Sequence, residues 1–138
     1  MTLLESREEK EREIAEENRR LLGKLTARAT TLMSKYDDVA EFTPFKEDYG
    51  TDAEWAVAKC KMMVVHSGEF TIALGVYRRP LSYTSVDYDF PEYRLQIVEG
   101  SPVGYTKYFV SKQKADTIDE MAVKLDRALR RIVKTYFS

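Results

Sequence analysis

The sequence predicts an α+β domain: a long N-terminal helix, an antiparallel sheet of about five strands, and a C-terminal helix packed on the sheet. Three observations carry this. Residues 5–20 (ESREEKEREIAEENRR) are nearly all charged or polar, rich in good helix formers, and an apolar stripe at helical spacing follows them. Residues 55–77 alternate apolar and polar side chains on both sides of a turn containing Gly68. From Thr117 onward a capping-box pattern opens a second helical apolar period.

The first helix is expected over 2–36. Thr2 with Glu5, or Ser6 with Glu9, has the spacing at which each side chain satisfies the other's free backbone N–H. Glu8 with Arg12 and Glu16 with Arg20 stand four apart, acid first, an arrangement worth about 0.3–0.5 kcal/mol a pair. Ile14, Leu21, Leu22, Leu25, Ala29, Leu32, Met33 and Tyr36 form the apolar stripe. Its second half can pack on a core. The first half is polar all round, and such a helix is solvated or held by a partner.

A heptad places Leu4, Glu11, Asn18, Leu25 and Leu32 at a, and Ile14 and Leu21 at d. Asn18 is then the buried polar residue that sets register in a two-stranded coil, although Arg7, Glu11 and Arg28 also fall on the seam. Ile14, Asn18, Leu21, Leu25 and Leu32 are therefore the candidate oligomerisation residues of a homodimer, parallel or antiparallel. On this reading 1–36 is a charged helical segment and 37–138 an α+β head.

In the head, 39–45 reads as a short strand, and Pro44, which cannot donate to a ladder, puts it at an edge or ends it there. Residues 46–52 (KEDYGTD) read as a polar loop. Ala56, Ala58, Cys60, Met62 and Val64 line one face of the strand 55–65. Lys59 and Lys61 stand on the other, which predicts a sheet with one wet face. A turn at 66–69 leads to a return strand with Phe70, Ile72, Leu74 and Val76 inward. Two further strands are expected over 93–98 and 103–111, then the final helix with Met121, Leu125, Leu129 and Ile132 on its apolar face.

The composition excludes several classes. Net charge is −1, so no strong whole-molecule field draws in nucleic acid or anionic lipid. A single cysteine rules out an internal disulfide and fits a reducing, intracellular setting. No apolar run approaches the 18 or so residues that a membrane helix needs. With one Cys and one His there is no structural zinc set within a chain, and the acidic pieces 48–52 and 87–89 lack calcium-loop spacing. No Lys-Ser/Thr follows the glycines to make a phosphate loop. His66 sits in an expected turn without an oriented nucleophile, and Cys60 reads as a buried small apolar residue. No catalytic residue, metal or cofactor is assigned.

The long connection 78–91 (RRPLSYTSVDYDFP) is the most distinctive segment of the head. Tyr and Arg favour the energetic centres of protein interfaces, which makes Arg78, Arg79, Tyr83, Tyr88 and Tyr93 the candidate partner-binding residues. With Tyr105, Lys107 and Tyr108 they also make a basic aromatic face of the kind that stacks single-stranded bases. Asp87, Asp89 and Glu92 in the same region argue against that. The expectation is a non-enzymatic interaction module dimerised by its first helix. The alternatives are a small-ligand domain with an apolar sheet–helix cavity, or a single-strand nucleic-acid binder. The order of elements is similar to that of the small α+β heads that end coiled coils in large assemblies, kinetochore-type RWD heads among them. The likeness is one of element order and involves no sequence motif.

Overall fold

A computed structural model describes residues 2–49, 54–63, 68–81, 88–99 and 107–137. The chain is α+β, with an N-terminal helix, an antiparallel sheet and a C-terminal helix. Helix α1 spans Leu3–Met33 and tightens into a 3-10 turn at Ser34–Tyr36. The strands are β1 Ala40–Phe42, β2 Lys46–Tyr49, β3 Glu54–Met62, β4 Glu69–Tyr77, β5 Glu92–Glu99 and β6 Lys107–Ala115; helix α2 spans Ile118–Phe137.

Local chemistry starts both helices as the sequence implies. Thr2 Oγ1 accepts from the Glu5 amide at 3.2 Å and Glu5 Oε2 accepts from the Thr2 amide at 3.3 Å. At the second start, Thr117 Oγ1 accepts from the Glu120 amide at 3.0 Å, while Glu120 reaches back to the Asp116 amide. Along α1, Arg7 pairs with Glu11 and Lys10 with Glu13, both at the outer limit of contact. Exposed pairs of this kind add little.

The sheet order is β1-β3-β4-β5-β6, every pairing antiparallel, with β2 also on β3. Strands β3 to β6 thus follow one another as a meander, and the register is fixed by one buried face. Ala56, Ala58, Cys60 and Met62 point inward from β3. Phe70, Ile72, Leu74 and Val76 do so from β4, and Tyr93, Leu95 and Ile97 from β5. Leu22, Leu25, Ala29 and Met33 of α1 and Met121, Leu125, Leu129 and Ile132 of α2 join them in one core cluster. Both helices therefore lie on the same sheet face, and α1 contacts α2, β3 and β4 directly. The helix at 1–36 and the head share this core.

The opposite face carries Trp55, Val57, Ala73 and Tyr77 with Lys59, Lys61, Arg94 and Gln96. The Arg94 guanidinium stacks on the Tyr77 ring at 4.1 Å.

Two strand expectations are corrected. Residues 46–49, read from sequence as loop, form β2 and pair with 54–57 of β3. Pro44 interrupts the edge strand rather than ending it. The Thr43 amide donates to the Lys59 carbonyl at 2.9 Å, and Thr43 Oγ1 accepts from the Lys59 amide at 2.8 Å. These bonds carry the chain across the break and back into the ladder. The last strand, described over 107–115, includes 107–111 of the expected 103–111 and runs four residues past its end, with register shifts near Leu95, Ile97 and Val98. Ser111 to Lys114 are exposed at the sheet edge, so no apolar alternation marks them. The expected turn residues His66 and Ser67, and the start of the last expected strand at 103–106, lie outside the described residues.

Candidate functional site: the groove between helix α1 and the 78–91 connection

The inner-face row at one end of the sheet runs Glu54, Val76, Tyr93, Ala115 across β3, β4, β5 and β6. Here the core turns polar. Arg78, two residues past Val76, donates through Nη2 to Glu17 Oε1 of α1 at 2.7 Å. Arg19 Nε stands 3.7 Å from Glu54 Oε2, close enough for charge attraction but too far for a hydrogen bond. Asn18, one residue from each of these helix partners, is only 6% exposed. Three buried polar atoms make no hydrogen bond among the described residues: Asn18 Oδ1, Glu54 Oε2 and Arg78 Nε. Such atoms are rare in a folded chain, and three along one helix–sheet seam mark a functional candidate.

Burial raises the Tyr93 phenol pKa above its ordinary value; Arg78 and Arg20 oppose the shift and Glu17 adds to it. Tyr88 is raised by burial, with Glu11 adding and Arg7 opposing. The charges felt at Tyr88 place the connection beside the first half of α1, where the sequence left the helix without a partner. Ile14 is 8% exposed in this half of the helix, on a surface that is otherwise charged.

The described flanks of the connection are pinned together. Pro80 and Tyr88 form an antiparallel bridge, the Asp89 amide donates to the Arg79 carbonyl at 2.9 Å, and Arg79 Nη2 lies 3.8 Å from Asp89 Oδ2. A groove of about 540 Å³ runs between these flanks and α1, lined by Glu17, Leu21, Arg78, Leu81, Tyr88 and Phe90. A second, more polar cleft of about 320 Å³ lies on the far side of Phe90, among Tyr77, Arg79, Glu92 and Arg94. Phe90 stands between the two, 89% exposed, with Leu81 nearby at 57%.

The structure thus brings Asn18 and Leu21 together with Arg78, Tyr88 and Tyr93, which the sequence had sorted into two separate roles. Arg79 lines the second cleft, and Tyr83 lies outside the described residues. Tyr93 is buried and supports the groove from beneath. Ile14, Asn18 and Leu25 are buried within a single chain, and Leu25, at 1% exposure, belongs to its core cluster. Leu32 packs half-buried on the core and lines a cleft between the helices. Sequence reading missed Glu17, Glu54, Leu81 and Phe90. The one signal was an aromatic residue set in a polar turn, Asp89-Phe90-Pro91.

Comparison with protein-family models, curated proteins and solved structures finds no match, so no structural relative stands behind the likeness of element order noted above. Among the described residues no helix is long and apolar enough to cross a membrane, and no three His, Cys, Asp or Glu side chains gather as a metal site would require.

Proposed function

We propose that this chain is a non-enzymatic protein-interaction module whose partner surface is the groove between α1 and the 78–91 connection. The observation that carries this reading is Phe90: an aromatic ring 89% exposed, flanked by Leu81 and by clefts on both sides. An exposed aromatic beside arginine is the usual energetic centre of an interface. A small ligand held between sheet and helices is less favoured, because Phe70, Ile72, Leu74, Leu95, Met121 and Leu125 fill that layer at 1% exposure or less. Self-association through the α1 stripe is not part of the proposal, since Leu25 has no surface left to offer.

A photo-crosslinking phenylalanine analogue at position 90 tests it, with the same analogue at exposed Val123 as control. In native extract, position 90 should give a discrete protein adduct that Val123 does not, and Leu81→Ser should abolish it. Equal labelling at both positions, or none at 90, would overturn the assignment.

A further inference from the structure

The net charge of −1 conceals a segregation. Residues 19–35 and 121–137 together carry ten Lys or Arg and one carboxylate, Asp126; the rest of the chain carries twelve cations and twenty-two carboxylates. These two stretches are the outer layer of the fold, and all of their cations except half-buried Lys124 are exposed. Between the helices runs a groove of about 360 Å³ lined by Arg28, Lys35, Arg127 and Arg130. Its one carboxylate is engaged already: Asp126 accepts from the Tyr36 hydroxyl at 2.7 Å and pairs with Arg130 at 2.9 Å. No ion pair holds Arg28, Lys35 or Arg127 among the described residues. Arg127 also lines the next groove, with Lys124 and Arg131, and Arg131 is steadied over the Phe109 ring at 5.1 Å.

We propose that this helix layer binds the phosphodiester backbone of a nucleic-acid duplex. Neutralising phosphates needs cations spread along a track and no apolar centre. The track from Arg20 to Lys35 is about 22 Å long at helical rise. An acidic protein partner would want clustered aromatic or aliphatic anchors, yet the large apolar side chains exposed in 19–35 and 121–137 are only Val123 and, at the far end of α2, Phe137. A single strand would want a series of exposed aromatic rings for stacking, and those two stretches expose one, Phe137 at the end of α2. The field of this patch survives the neutral total because screening confines each charge to about 8–10 Å. The acidic first half of α1 lies outside the patch, and the Phe90 groove meets it only at Leu21, so the cations of this surface are separate from the partner groove.

The test is fluorescence anisotropy of the full chain with a labelled DNA duplex. Contact with about four phosphates predicts a log K against log salt slope of about −3.6, a weakening of about 150-fold between 50 and 200 mM salt. Arg28→Gln with Arg127→Gln should flatten the slope by about two, while Lys61→Gln on the other sheet face should leave it unchanged. Absence of binding at 50 mM salt, or an unaltered slope in the double variant, would overturn the proposal. A single-stranded oligonucleotide bound as tightly as the duplex, or equal competition by poly-glutamate, would overturn the assignment to a duplex.

Discussion

Cys60 sits inward on β3 opposite Phe70 of β4, 1% exposed, and burial pushes its thiol up to about 11 from an ordinary 9.0. The folded chain therefore holds the proton more tightly than the unfolded chain. The stability this represents is complete below pH 9 and is lost as pH rises towards 11, about 3 kcal/mol in all. The phenols of Tyr36, Tyr93 and Tyr136, also raised chiefly by burial, add losses of the same sign that begin higher, from about pH 10. Urea unfolding across this range should show the early part of the decline vanish in Cys60→Ala. Gly75 poses a different constraint. Trp55 lies across it, and an added Cβ would stand 2.8 Å from the indole ring. Gly75→Ala should cost about 1–3 kcal/mol and shift the emission of this single tryptophan as the ring lifts from the sheet. The burial of Cys60 was legible in the alternation of β3. The Trp55–Gly75 pair was not, because alternation fixes which face a residue takes but not which residue it meets across the ladder.

At the scale of elements, α1 shows where a pattern stops informing. Its start was written in Thr2 and Glu5, and its apolar face in the spacing from Leu22 to Met33. What that face would meet was not written. A stripe of leucines at this period suits a second helix or a sheet equally well, and over a few turns the two repeats differ only by a slow drift. Leu25→Ala should cost about 2–5 kcal/mol in unfolding experiments and leave the mass in light scattering unchanged; a change of mass instead would place Leu25 at an interface. Strand β2 was hidden for the opposite reason. Exposed Lys46 and Glu47 sit on an outer strand whose stability comes from backbone pairing with β3 and whose side chains carry no periodic signal.

Over the whole molecule, the candidate partner residues were legible as residue types, while their assembly was not. Arg78 and Tyr88 are far from Glu17 and Leu21 in sequence and meet only because α1 runs over the end of the sheet where β4 finishes. The basic face of the last helix, Lys124, Arg127, Arg131 and Lys134, was legible in the sequence as a candidate contact to an acidic partner; its joining with the cations of α1 was not, since a net charge sums what the fold keeps apart. The sheet rims carry a last consequence. Every unpaired backbone row is a template on which a foreign strand can polymerise. Along β6 the exposed Lys112 and Lys114 would meet their own copies if two such rims joined, and on the other side Pro44 breaks the rim into two pieces of three and four residues. Lys112→Val with Lys114→Val should therefore make scattering climb more steeply with concentration than for the unaltered chain, while the fold stays intact by circular dichroism. The same lysines that gave the sequence no strand signal are what keeps that strand from recruiting another chain.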